Sequence, residues 1–262
     1  MTDVSVILIP LAVALVLFAA LWPLSVWKRD ASLVDFLWAP GFALQIGLAA
    51  WLAGSVGDRG LVILGLVGVW CARLSVVMIG RRLREGHEDP RYTTLRDSWG
   101  EGFWWKSFFI VFVLQAVIQW IISVGPIMGL LAVSEPVGPL ALAGIMIALA
   151  GIVIETIADR QLDQFKRSAR PGALMTTGLR AHVRYPNYSG EILFWLGLGL
   201  VCVEAGSPMG LVSAALIAGL LAKVSGAPML EERLEATRPE FDAYRERVPA
   251  FVPTLSRRTA AQ

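Results

Sequence analysis

Five ionisable side chains stand within or at the ends of otherwise apolar stretches of this sequence: Asp35, Arg73, Glu155, Asp159 and Glu191. A charge held in hydrocarbon costs about 2.5 kcal/mol or more unless it is paired or hydrated, so each is a candidate for binding or proton chemistry. Their spacing groups them. Glu155 and Asp159 are four apart and share one helix face, and Lys166 joins that face if the helix runs on. Glu191 follows Asn187 by four, one turn into the run that opens "RYPNYSGE". Pro186 suits a first helical turn. The free N–H groups at such a start favour an anion, and Arg180 and Arg184 stand just before it. Carboxylates, an amide and guanidiniums at one helix entrance would hold a polar, phosphate-bearing ligand. The plainer alternatives are ion pairs that keep helices in register, such as Asp35 with Arg73, and arginines that only follow the bias of basic residues toward the cytoplasm. That bias does not call for Asn187 and Glu191.

These residues need a scaffold, and composition supplies its class. The chain has 262 residues, 56% hydrophobic and 17% charged, against about 25% charged for a soluble domain. Several apolar runs reach the roughly 20 residues that cross a bilayer. The sequence predicts an all-α, polytopic membrane protein of one domain, 1–262. Its seven spans fall near 4–27, 33–54, 60–80, 103–125, 138–158, 188–206 and 207–223, followed by a cytoplasmic tail over 224–262. With the N-terminus outside, the segments 28–32, 81–102, 159–187 and the tail carry nearly all the Lys and Arg. The outer segments hold Asp3, Asp58, Arg59, Glu135 and Glu204. That asymmetry predicts N-out, C-in. Residues 1–27 read as a retained span, since the basic pair Lys28-Arg29 follows the apolar run rather than preceding it.

Asp35 then lies at the cytoplasmic end of span two. Arg73 is about 12 Å inside span three, at 1.5 Å per residue. Glu155, Asp159 and Glu191 sit at the cytoplasmic ends of spans five and six. One polar cavity open to the cytosol would serve all five. The segment 81–102 is expected to hold a short surface helix. Pro171-Gly172 is expected to break the helix that prolongs span five. Residues 231–247 read as one amphipathic helix with Leu234, Phe241 and Tyr244 on its apolar side. "VPAFVPTL" (248–255) then ends the fold. Tryptophans 22, 27, 38, 51, 99, 104 and 105 fall near the interfaces, where the indole prefers to be.

Other chemistries find little support. Cys71 and Cys202 both fall in spans, and His87 and His182 are too few for a His-rich metal centre. "GHED" (86–89) is a weak metal motif, so no metal is expected. The chain has no GxGxxG, P-loop, GxSxG or HExxH. The net charge of +2 gives no reason to expect a nucleic-acid partner. A transporter would show inverted repeats or helices broken in mid-membrane, and neither is visible.

Five segments together carry a resemblance: "DFLW" (35–38), "EDPRY" (88–92), "ETIADRQLDQFK" (155–166), "GLRAHVRYPNYSGE" (178–191) and "GAPMLEERL…YRERVPAFVP" (226–253). The sequence resembles the DUF1295 family, which is related to the C-terminal domain of steroid 5-alpha-reductases, over about residues 30–255. The resemblance implies a seven-helix membrane reductase that uses NADPH to reduce the conjugated C=C bond of an enone in a steroid-like or other lipid. The lipid would enter from the bilayer and the cofactor from the cytosol, in a bacterial-type inner membrane with the active site facing the cytoplasm. It assigns cofactor binding to Arg73, Glu155, Asp159, Lys166, Asn187 and Glu191. Arg180 and Arg184 become phosphate partners by placement, Tyr188 reaches toward the nicotinamide, and Glu231 or Arg233 closes the pocket. Trp38 and Trp70 fall on the substrate side. The chain departs from the steroid reductases at Trp70, which stands where they carry an acid tyrosine. Either Asp35, Tyr92 or Tyr188 then supplies the proton, or the substrate differs. Tyr185 replaces their usual His before Pro186.

The "RYPNYSGE" start and the tail "EERL…YRERVP" are also similar to the isoprenylcysteine carboxyl methyltransferases. That resemblance implies S-adenosylmethionine in a comparable cytosolic pocket. The "EDPRY" and "ETIADRQLDQFK" segments favour the reductase.

Overall fold

The computed structural model describes residues 3–132, 136–170 and 172–253. The side chain of Asp3, and Glu135, Pro171, Thr254 and Leu255, lie outside the described residues. The described chain is helical and contains no strand. Helices α1 (Asp3–Lys28), α2 (Trp38–Ala53), α3 (Asp58–Glu85), α4 (Pro90–Trp99), α5 (Phe103–Ser107) and α6 (Leu114–Leu131) are followed by α7 (Pro139–Ser168), α8 (Pro186–Glu204), α9 (Met209–Gly219), α10 (Ala227–Thr237) and α11 (Phe241–Arg247). Short 3-10 turns stand at Ala31–Leu37 and Gly178–Ala181, and wide π-type turns at Phe108–Val113 and Leu220–Val224.

Among the described residues, six segments are long and apolar enough to cross a membrane: Val4–Lys28, Ala31–Ala53, Asp58–Arg84, Pro90–Leu131, Pro139–Ser168 and Met209–Thr237. They match six of the seven spans read from the sequence. The remaining one, 188–206, falls on α8. That helix is formed as expected, but Asn187, Ser189 and Glu191 in its first turns dilute its apolar character. The expected surface helix in 81–102 is α4, with Pro90 in its first turn and Asp89 as its cap. The helix of span five runs on to Ser168, so Asp159 and Lys166 do share one helix.

Two expectations need correction. The second span does not begin as α-helix. Asp35 sits on the 3-10 turn Ala31–Leu37, and α2 starts only at Trp38. The tail is two helices rather than one. Pro239 lacks an N–H and disfavours helical backbone in the residue before it. Arg238 is accordingly extended (φ −138°, ψ 97°), and the chain restarts as α11. Phe241 and Tyr244 are buried as the amphipathic reading required.

The described chain divides into two compact units, Met1–Ile145 with Gly197–Ala214, and Met146–Leu196 with Ala215–Gln262. In the first, α1, α2, α3 and α6 pack on one another. Its core includes Ala14, Phe18, Val34, Tyr92, Phe103 and Phe112. Glu204, in the last turn of α8, caps α7. Its carboxylate accepts hydrogen bonds from the backbone N–H groups of Gly138 (2.9 Å), Leu140 (3.1 Å) and Ala141 (3.1 Å). Those donors have no partner inside α7. Arg59 holds the same corner through the Glu204 carbonyl at 2.6 Å.

In the second unit α7 meets α8 at glycines. A Cβ on Gly190 would lie 2.7 Å from the Gly151 carbonyl oxygen and 2.7 Å from Glu155 Cγ. A Cβ on Gly151 would lie 2.5 Å from the Gly190 carbonyl oxygen. Small residues are what allow two backbones this close. The contact buries Glu155, 2% exposed, against the first turns of α8.

Candidate functional site

The sequence candidates fall into the two units. Asp35, Trp38, Trp70, Arg73 and Tyr92 belong to the first. Glu155, Asp159, Lys166, Arg180, Arg184, Asn187, Tyr188, Glu191, Glu231 and Arg233 belong to the second.

In the first unit the "DFLW" and "EDPRY" segments dock on each other. The Tyr92 hydroxyl donates to Asp35 Oδ1 at 2.7 Å and accepts from Gln115 Nε2 at 3.0 Å. Arg91 donates to Asp35 Oδ2 at 3.0 Å. The partners seen for Asp35 are therefore Arg91 and Tyr92, not the Arg73 that the sequence suggested. Arg73 lies in an apolar run, where a charge is conspicuous, whereas Arg91 sits in a polar segment among other charges. Glu88 completes the junction, accepting from the Ala31 N–H at 2.6 Å and pairing with Arg96 at 2.7 Å. Asp30 accepts from Arg82 and from the backbone of Ser32. Trp38 and Trp70 meet the same ring, Phe42, edge-on at 5.4 and 5.8 Å.

In the second unit most of the cofactor candidates surround the start of α8. Arg184 is 9% exposed. Its guanidinium donates to Glu231 Oε1 at 2.8 Å and to the carbonyls of Val248 (2.5 Å) and Arg245 (3.1 Å). Its backbone N–H donates to Pro249 O at 2.8 Å, and that of Tyr185 to Ala250 O at 3.0 Å. The Ser189 hydroxyl donates to Phe251 O at 2.7 Å. The tail is thus laced along residues 184–189. Arg184 and Glu231, both expected to face a ligand, are engaged with each other and with the chain. The carbonyls that hold Arg184 carry no mark in a sequence.

The Tyr185 hydroxyl donates to Glu231 Oε1 at 3.1 Å, and its ring stacks on Tyr188 with centroids 5.7 Å apart. The Tyr244 hydroxyl donates to Arg180 O at 2.6 Å. Arg180 Nη1 donates to Arg184 O at 2.9 Å. Burial disfavours the Arg180 charge, and Tyr244, Tyr185, Tyr188 and Asp159 act in the opposite sense. That draws Asp159 and Tyr188 into the same neighbourhood. Asn187 Oδ1 is buried with no hydrogen-bond partner. Asn187 lies three residues before Gly190, where Glu155 packs, and so shares that face of α8. Glu191 is half-buried, and Lys166 and Arg233 are exposed.

The two buried phenols predict a pH effect. Burial raises the pKa of Tyr185, reinforced by the negative charge of Glu231 and the hydrogen bond to it. Burial also raises that of Tyr244. Below about pH 10, the ordinary tyrosine value, both are neutral whether or not the tail is docked, and their contribution is constant. As pH rises further the undocked chain ionises first, so docking weakens. Tryptic cleavage after Arg233 should therefore hold steady up to about pH 10 and quicken above it, relative to a cleavage control peptide. A flat ratio would contradict the assignment.

Comparison with known proteins completes the picture. A family model described as "Protein of unknown function (DUF1295)" matches residues 21–248. A Schizosaccharomyces pombe protein, itself described as uncharacterized, is 24% identical over 272 residues, covering 94% of this chain and 79% of the relative. No solved structure matches. The family match takes in the docked "DFLW" and "EDPRY" segments, the α7–α8 crossing and the first turns of the tail, and this chain belongs to the DUF1295 family.

Proposed function

We propose that this protein is a membrane enzyme that uses NADPH to reduce an activated C=C bond in a lipid-like substrate. The observation that carries the reading is Asn187 Oδ1, a buried acceptor without a partner at the α8 entrance. Leaving such an atom unmet costs about 1–3 kcal/mol, and a ribose hydroxyl or a carboxamide N–H would meet it. Glu155, Asp159 and Glu191 supply further acceptors for sugar hydroxyls. Arg180, Lys166 and Arg233 are the proposed phosphate partners, since Arg184 is engaged by Glu231 and the tail. When bound, NADPH supplies a hydride; the chain's part is to hold and orient it and to deliver a proton. Tyr188, stacked on Tyr185 at the α8 entrance, is the proposed proton donor. Tyr188→Phe should abolish turnover while the protein still elutes as a monodisperse species; full activity would remove Tyr188 from the chemistry.

The reading includes seven crossings, N-out and C-in, with α8 as the sixth and the α8 entrance facing the cytoplasm. Its nineteen residues span about 28 Å at 1.5 Å each, close to the hydrocarbon thickness. The basic loops support the orientation.

One observation favours a second reading. Arg184, the basic residue nearest α8, is engaged internally, while three carboxylates lie near the α7–α8 contact. A cationic sulfonium with ribose hydroxyls, as in S-adenosylmethionine, suits such a set, and the protein would then be a methyltransferase. Titration of the detergent-purified protein with NADPH, NADH and S-adenosylmethionine separates the two. Saturable binding that prefers NADPH supports the reductase, and binding of S-adenosylmethionine alone overturns it. Asn187→Ala and Glu191→Gln should each weaken the preferred ligand about tenfold, one hydrogen bond's worth. Unchanged affinity would take that residue out of the site.

A further inference from the structure

In the first unit α1, α2 and α6 enclose a cavity of about 400 Å³. That is within the range of small-molecule sites, roughly 300–1,000 Å³. Its walls are apolar, with Ala14, Leu17, Phe18 and Leu44 among them, and its two polar lining residues are Gln45 and Gln119. Leu17 and Leu44 are 38% and 42% exposed, on segments apolar enough to cross a membrane. The rim therefore meets lipid, not water.

The amide pair has a fixed sense. Gln119 Nε2 donates to the carbonyls of Leu37 (3.0 Å) and Trp38 (2.6 Å). Those two acceptors settle which end of the Gln119 amide is nitrogen. Gln119 Oε1 then accepts from Gln45 Nε2 at 2.7 Å, which settles the Gln45 amide in turn. Gln45 Oε1 remains, on a residue 1% exposed, buried with no partner. Gly41 is part of the arrangement, since a Cβ there would run into the Gln119 amide. A lone acceptor among hydrocarbon walls is a poor water site, because a buried water needs two to four polar partners.

We propose that this cavity is a lipid-binding site for a neutral amphiphile with a long apolar body and one hydrogen-bond donor, of the long-chain alcohol class. The donor meets Gln45 Oε1 and the chain fills the apolar walls. A ligand whose polar group only accepts, such as an ether or an ester, leaves that atom unmet and is disfavoured. The site lies in the first unit and stands whether or not NADPH binds the second.

The test uses the full chain in phosphatidylcholine nanodiscs with a diazirine-bearing hexadecanol as the probe. Adducts should map to α1, α2 and α6, and free hexadecanol should compete about fivefold better than its methyl ether, the effect of one net hydrogen bond. Gln45→Met should erase that preference. Should Gln45→Met fail to fold, Leu17→Trp decides: placed on the lipid-facing rim, it should cut labelling while the elution profile is kept. Adducts confined to other helices, equal competition by the ether, or undiminished labelling of Leu17→Trp would each overturn the proposal.

Discussion

Gly190→Val is expected to remove most of the folded protein from a membrane extract. The substitution adds a branched side chain where a single Cβ already lies 2.7 Å from the Gly151 carbonyl oxygen and 2.9 Å from the Glu155 backbone nitrogen. Both neighbours are backbone, so no rotamer change relieves the clash and α7 must part from α8. Overpacking of cores costs about 1–3 kcal/mol, and this site belongs at the upper end. Separation would also withdraw Glu155 from the face of α8 that carries Gly190 and Asn187. The control is Gly47→Ala, whose added Cβ meets nothing within 4 Å. There the gain in helix propensity, up to about 1 kcal/mol, should leave stability equal or higher. Thermal stability read by size-exclusion chromatography compares the two. A Gly190→Val protein as stable as the control would show that the crossing is not close.

Arg184→Met has the second large effect, through the tail. The arginine makes three hydrogen bonds to residues 231–248, one of them an ion pair with side chains only 11% and 20% exposed. Methionine keeps the apolar stem but leaves two carbonyls without this donor and Glu231 with the Tyr185 hydroxyl alone in place of the ion pair. Removing one partner of a buried pair costs about 3–5 kcal/mol; the partial exposure of Glu231 puts this case near the lower figure. The expected result is release of α10, α11 and the segment through Phe251, read as tryptic cleavage after Arg233 under conditions where the wild type is resistant. Glu231→Gln keeps an acceptor for Tyr185 and Arg184 and should have a smaller effect. If Arg184→Met changed only ligand affinity and left protease resistance intact, the arginine would belong to the ligand after all.

These two results turn on features that a sequence displays unequally. Six of the spans announced themselves, because length and apolar composition are enough to place a helix in a membrane. Asp159 and Lys166 could be assigned to one face because the helix had no breaker before Ser168. Asp35 pairs with Arg91 rather than with Arg73, its partner in the plainer alternative: an apolar run makes the charge of Arg73 conspicuous, and Arg91 lies in a polar one. Arg184 was visible as a cation, but its partners are largely backbone carbonyls, and every residue has one. Gln45 escaped notice because it carries no charge, although it is the lone polar side chain in α2, and that isolation was the available signal. Tertiary hydrogen bonding, not local propensity, decides each of the missed cases.

The cap on α7 bears on how the chain is made. The first turn of α7 takes its acceptor from Glu204, 63 positions after Ala141. While ribosomes are still delivering residues 142–203, α7 can enter the bilayer, but its leading N–H groups must be served by water or lipid headgroups. They are handed to Glu204 only when the end of α8 has been made and has folded against them. Biogenesis of this region is therefore coupled: the first turn of α7 is completed after α8, not before it. A nascent chain stalled short of Glu204 holds an α7 whose first turn is still uncapped.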